Sequence, residues 1–155
     1  TRFQNQEVRK TYLAICRGHV PERGVVDRPL RETDDKPYAE ARSEFERLQA
    51  VEFPDPVGIY PSARYSLVAV RTSTGRYHQV RKHLRSLSHP IVGDTAYGDG
   101  DHNRYFREKF GIHRLLLCAQ KKSFTHPASG RLINLEVPQP EEFGRVFGAS
   151  QTGLA

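Results

Sequence analysis

The stretch "TSTGRYHQVRKHLRSLSHPIVGD", residues 72–94, decides how the chain is read. It carries four fixed cations, Arg76, Arg81, Lys82 and Arg85, and three histidines, His78, His83 and His89, ahead of its first acid, Asp94. Tyr77, Val80, Leu84 and Leu87 recur at i, i+3, i+7 and i+10, one apolar stripe of an α-helix. His78, Arg81, Lys82 and Arg85 recur at i, i+3, i+4 and i+7, a second stripe that is wholly basic. With Ser73 or Thr74 as cap and His89-Pro90 as stop, residues 75–88 are predicted helical. At 100° per residue Arg81 falls about 40° from Tyr77, on the border of the apolar stripe. Its guanidinium is therefore expected to be half buried and to need a carboxylate or phosphate. Nothing acidic lies near it in sequence.

The charge distribution extends this picture. The chain has 155 residues and a formal net charge of +6. No acid occurs between Asp55 and Asp94, whereas Arg64, Arg71, Arg76, Arg81, Lys82 and Arg85 fall in that window. The other 18 of the 24 Lys and Arg balance the 18 Asp and Glu, so the window carries the whole surplus. A cationic excess confined to one segment is the footprint of a polyanionic partner. The chain has no methionine and begins at Thr1, and is expected to be part of a longer protein. Cys16 and Cys118 lie in apolar, strand-like runs and are expected as buried reduced thiols. No signal peptide is present and no apolar run approaches the ~18 residues of a membrane span, so a soluble cytoplasmic protein is expected.

Residues 1–155 show no repeat or composition break and are expected to form one domain. Strand-like runs occupy 9–18, 23–30, 41–53 and 64–72, the last apolar on both faces as in a central strand. Residues 113–126 and 131–138 flank the turn "PASG" and read as a hairpin. The polar stretch 31–41 and the proline-rich stretch 54–62 read as exposed, mobile loops, and "PEEFGRVFG" (140–148) as a terminal helix. The predicted fold class is α+β, a mixed and largely antiparallel sheet with few helices.

The motifs themselves resemble a known family. "TGRYHQVRKHL" (74–84) followed by "HPIVGDTAYG" (89–98) resembles the signature of the RluA-type pseudouridine synthases. "RKTYLAICRG" (9–18) resembles that family's Lys-x-Tyr strand, and "QKKSFTHPASG" (120–130) its closing strand and turn. "GDGDHNRYFREKFGIHRLLLCA" (98–119) is most similar to the tRNA pseudouridine synthase C branch, so the resemblance spans Val8 to Phe143 with its motifs in order. It implies isomerisation of a uridine in RNA, with tRNA the implied substrate and partner, no cofactor, no metal and no obligate protein partner. The N-glycosidic bond breaks, the base turns, and C5 is joined to C1′. Carried over residue by residue, Tyr12 is the aromatic beneath the target base and Arg81 the cation that pairs with the family's catalytic aspartate. Val80 is the aliphatic that packs on the tyrosine. Lys10, Arg76, His78 and Lys82 are expected as substrate contacts, Arg76 and Lys82 meeting phosphates through their charge. The family's His-Arg-Leu-Asp motif does not occur in these residues, and the attacking aspartate is expected N-terminal to them, so Arg81 is expected to point toward open space. Cys118 stands where many members carry histidine.

Other readings meet physical objections. Spacings of five and six among His78, His83 and His89 do not place two ligands on one helical face, which argues against zinc. Asp94 follows a glycine and reads as a turn or capping residue rather than a nucleophile, and Asp34 and Asp35 as solvated loop residues. A non-catalytic RNA-binding module of the same fold, an rRNA-directed synthase and a histidine-dependent phosphodiesterase remain as competing functions.

Overall fold

Side chains of a strand point alternately to opposite faces, and β1 (Arg9–Arg17) shows what that alternation organises. Leu13 and Ile15 enter one buried cluster, with Tyr65, Leu67, Phe106 and Phe143. Ala14 and Cys16 enter the other, with Val68, Val70, Val80 and Leu84. The computed structural model describes residues 8–153. Beside β1 they contain β2 (Arg23–Asp27), β3 (Arg42–Phe53), β4 (Ala63–Thr72), β5 (Leu117–Thr125) and β6 (Leu132–Glu136). The strands form one sheet in the order β2-β3-β4-β1-β5-β6, with every described neighbour antiparallel. β1 and β4 lie in its middle, which explains the uninterrupted burial from Tyr65 to Val70. The expected α+β class, with an antiparallel sheet and few helices, holds.

Among the described residues three helical segments cover the two faces, the last of them kinked at Gly148 (φ 57°). α1 (Gln79–Ser86) supplies Val80 and Leu84 to the Ala14–Cys16 side. α2 (Gly100–Phe110) and α3 (Glu141–Gly153) supply Phe106, Phe143 and Val146 to the Leu13–Ile15 side. Among the described residues no helix is long and apolar enough to cross a membrane. Both cysteines are free, but only Cys16 is buried, and burial pushes its thiol up to about 12 against the opposing charge of Arg17. Cys118 is only partly buried, which corrects the expectation for it.

α1 is shorter than the predicted 75–88, and its cap differs. Neither Ser73 nor Thr74 caps it; the N-cap is His78 in the left-handed conformation (φ 53°), with no side-chain bond. Gln79 explains why: its side-chain oxygen accepts from the Thr74 hydroxyl (2.7 Å) and the Arg76 N–H (3.1 Å), so those groups close a turn before the helix. At the far end Ser88 takes the left-handed position (φ 67°) usually given to glycine. Ser88 N–H then donates to Arg85 C=O and His89 N–H to Leu84 C=O, which ends the helix before Pro90. The buried face also shifts. It consists of Gln79, Val80, His83 and Leu84, whereas Tyr77 lies outside the helix and is 50% exposed.

α2 has no counterpart in the sequence reading. Its buried residues are His102, Asn103 and Phe106, two of them polar, so no apolar period announces it. Its ends were the legible part: Asp99 accepts from the Asp101 N–H, and Gly111 closes the helix at φ 67°.

Gly93 is a position the fold cannot give to another residue. Its φ is +88°, and a Cβ there would overlap the carbonyl oxygen of Arg114. Its N–H donates to Asn103 Oδ1 (2.7 Å), which anchors the segment before Asp94 on α2. Gly93→Ala is expected to cost about 3 kcal/mol from backbone strain and steric overlap. Urea denaturation checks it, and a loss below about 1 kcal/mol would show that the segment yields to the added methyl.

Candidate active site

Tyr12 stands on the α1 face of β1, next to a register shift between Thr11 and Tyr12 in the pairing with β5. It packs against the cluster that contains Val80. Tyr12, Val80 and Arg81 together line an open cleft of about 260 Å³, with Lys10, Arg76 and His78 on its walls. Six of the seven predicted site residues therefore converge, although β1 and α1 are far apart in sequence. Burial raises the pKa of the Tyr12 phenol, so it is neutral at physiological pH. On the other side of Tyr12 a shallow groove of about 550 Å³ runs over β5 and β6, past Lys121, Lys122, Leu135 and Val137. Another cavity, of about 500 Å³, holds none of the predicted residues; Arg17, His19, Tyr60, His89 and His102 are among those that line it.

Arg81 departs from expectation. Its guanidinium does not face open space. Nε donates to Asp94 Oδ2 at 2.9 Å and Nη2 to Asp94 Oδ1 at 3.0 Å, a two-bond ion pair. The side chains are 18% and 1% exposed. The principle that a half-buried guanidinium needs an oxyanion was sound; the partner lies thirteen residues on, delivered by a reversal of the chain. Asp94 is also the expected turn residue, since Oδ1 accepts from the Ala96 N–H (3.0 Å) and the Tyr97 N–H (2.9 Å). Burial works to raise the Asp94 pKa, but hydrogen bonds from Arg81, Tyr97 and Ala96 and the Arg81 charge hold it below the usual carboxylate range. The Asp94 bond in turn raises the Arg81 pKa.

His78 connects the head of α1 to the same turn. Its Nδ1 lies 3.0 Å from the Tyr97 hydroxyl and its ring stacks on Tyr77 at 3.7 Å. Burial first, then the charges of Arg81 and Lys82, lower its pKa, so the imidazole is neutral at pH 7. Tyr97 also lies under the guanidinium, with Arg81 Cζ 5.0 Å from the ring centroid.

The two cations expected to meet phosphates have a structural duty as well. Arg76 Nε donates to Glu40 C=O (2.7 Å) and Lys82 Nζ to Arg31 C=O (2.9 Å). Both therefore hold the 28–41 loop against α1, and Lys82 does not line the cleft. Elsewhere in the acid-free window Arg64 pairs with Glu52 and Arg71 with Glu46. With Arg81, three of its six cations are matched by acids from outside it. The 54–62 loop lies at the other end of β4, where Asp55 accepts from Tyr105 and Lys109 of α2. Among the described residues no group of three His, Cys, Asp or Glu side chains converges to hold a metal.

The chain is similar in sequence and fold to known proteins. The family model described as RNA pseudouridylate synthase matches residues 1–86. The chain belongs to that family. It is 41% identical over 154 residues to the tRNA pseudouridine synthase C of Haemophilus ducreyi, an alignment covering 94% of this chain and 63% of that protein. It is 44% identical over 135 residues to the tRNA pseudouridine synthase C of Vibrio cholerae, covering 81% and 55%. The chain thus spans less than two thirds of the length of these relatives. Among solved structures, human RNA pseudouridylate synthase domain containing 4 superposes with a TM-score of 0.63 at 25% identity, covering 94% of this chain and 62% of that one. Human RNA pseudouridylate synthase domain containing 1 shares the fold, with a TM-score of 0.66 over 89% and 57% of the two chains.

Loss of Asp94 would strand a half-buried guanidinium. Asp94→Ala is expected to destabilise the chain by about 3 kcal/mol at pH 7. A depressed carboxylate pKa contributes stability that is complete above its unfolded value, about 3.9, and is lost as pH falls through the lower folded value. Urea titrations should therefore show the gap between wild type and Asp94→Ala shrinking below pH 4, and a gap constant down to pH 2 would contradict the pairing.

Proposed function

We propose that the protein bearing this chain isomerises a specific uridine in tRNA to pseudouridine, with residues 1–155 serving as part of one catalytic domain in the cytoplasm. The observation that carries this reading is the meeting of Tyr12, Val80 and Arg81 on one cleft, in a chain of the family whose curated relatives are named as tRNA enzymes. Tyr12 offers an aromatic face to a base that has left its stack, worth about 1–3 kcal/mol. Val80 supports the ring from the α1 side, and Lys10, Arg76 and His78 supply donors along the cleft wall. Lys82 holds the 28–41 loop through a neutral carbonyl and keeps its charge for a phosphate outside the cleft. In the reaction N1–C1′ breaks, C5–C1′ forms, the C5 proton leaves to solvent and N1 takes one up; the step at the sugar needs a carboxylate as nucleophile or base. We place that carboxylate outside these residues, because Asp94 is committed to Arg81 and to two backbone N–H groups.

The decisive measurement is tritium release from tRNA labelled at uridine C5, run with the full-length protein and with residues 1–155 alone. Release is expected from the former only; Tyr12→Ala should weaken RNA binding by about 1–3 kcal/mol and Tyr12→Phe by much less. Release by residues 1–155 alone would return Asp94 to candidacy as the catalytic carboxylate. Tight RNA binding without release by the full-length protein would favour the second reading, an RNA-binding module, which the commitment of Asp94 also supports.

Salt dependence reports how many cations meet phosphate. With three of the six window cations already paired, about three counterions should be released, a slope near −2 in log K against log salt for single-stranded RNA. A slope near −4, the value for six, would mean that the ion pairs open on binding.

A further inference from the structure

Arg81 is held by one edge and one face. Asp94 takes Nε and Nη2, and the Tyr97 ring lies beneath Cζ. Among the described residues none accepts a hydrogen bond from Nη1, and Arg81 lines the cleft. The grip is itself rigid. Asp94 is bonded through Oδ1 to two backbone N–H groups, its own carbonyl accepts from Asn103 Nδ2 at 3.0 Å, and a Cβ on Gly98 would overlap that carbonyl. The Tyr97 hydroxyl is tied to His78, which sits at positive φ at the head of α1. The strained His78 backbone, the buried carboxylate and the ring thus all bear on one guanidinium.

We propose that Asp94 and Tyr97 are positioning residues, which fix Arg81 so that its Nη1 edge is presented in one direction to an oxyanion of the reacting system. This rests on the isomerase reading above. The chemistry distinguishes it from a simple surface charge. A guanidinium already paired with a carboxylate adds little net charge to the cleft, so it attracts RNA weakly from a distance. Its remaining donors still point, and preorganised donors act on the transition state rather than on ground-state binding. Disturbing the grip should therefore lower the rate constant and leave RNA affinity nearly unchanged.

Four variants of the full-length protein separate positioning from folding. Asp94→Asn keeps an acceptor for the Ala96 and Tyr97 N–H groups but sets a donor against Arg81 Nε–H. Its single-turnover rate on tRNA is expected to fall about 100-fold, as for a small misplacement of a reacting group, with the dissociation constant within about twofold of wild type. Asp94→Glu, which keeps the charge, should recover part of the rate. Tyr97→Phe keeps the ring and should lose less than Tyr97→Leu. A rate for Asp94→Asn within threefold of wild type, or an affinity that falls in step with the rate, would overturn the proposal. A second readout does not depend on activity: nitrogen-15 NMR of arginine side chains should show a slowly exchanging Arg81 Nε–H in wild type that is lost in Asp94→Asn. An Arg81 Nε–H exchanging as fast as that of exposed Arg85 would overturn the positioning whatever the activity. If wild type instead shows the protected Nε–H but releases no tritium, the isomerase reading fails while the grip on Arg81 stands.

Discussion

A guanidinium does not leave water without an oxyanion to meet it, and that requirement fixes the path of the chain after α1. From Ser88 the backbone turns back and runs beside the end of β1. Arg17 N–H donates to Pro90 C=O, Val92 N–H to Ile15 C=O, and Leu116 N–H to Val92 C=O. The segment thus occupies the gap between β1 and the residues before β5, and brings Asp94 under Arg81. Gly93, which admits no Cβ, and Asn103, which bonds both Gly93 and Asp94, hold the last step of that path. The ion pair therefore joins α1, the returning segment and α2.

The two faces of the sheet divide the work. The α2–α3 face is an aromatic core, in which Phe53, Tyr65, Tyr105, Phe106 and Phe110 pack ring against ring. The α1 face has fewer aromatics and more polar bonds, and it carries the cleft. Polar groups there have defined partners, so the helix is held by direction as well as by burial. Arg76, in the turn before α1, and Lys82, in α1, donate to backbone carbonyls of the 28–41 loop, which adds to the loop's own Leu30–Ala39 pairing and ties it to the helix.

How far the sequence disclosed this follows from which signals are periodic. β1, β3 and β4 were legible because alternation and β-branched residues mark strands directly. The bounds of α1 were misjudged because Gln79, a residue without apolar signal, closes the preceding turn. α2 was missed because its buried side is polar, although its Asp and Gly caps stood in the sequence. The meeting of Tyr12 with Val80 and Arg81 was legible only through family resemblance, since no local period links β1 to α1. The glycine before Asp94 marks it as a turn residue, but nothing local marks it as the partner of Arg81. A carboxylate has four lone-pair positions; two N–H groups of a turn leave room for a guanidinium, and a half-buried Arg81 was the sign that one was needed.

His83 lies on the same helix and brings a different kind of coupling. Its Nε2 lies 2.9 Å from Arg28 C=O, which can only accept, so the proton resides there and Nδ1 accepts from the Ser43 hydroxyl at 2.8 Å. Ser43 Oγ accepts in turn from Gln79 Nε2 at 3.0 Å. Every hydrogen in this chain has one place to be, and the imidazole is buried. A second proton would reverse the Ser43 hydroxyl and place a charge where burial, the main influence on His83, already disfavours it. The unfolded chain accepts that proton below about pH 6.5, and the folded chain takes it up only at lower pH. Mild acidity therefore draws on the free energy that seats α1 on β3.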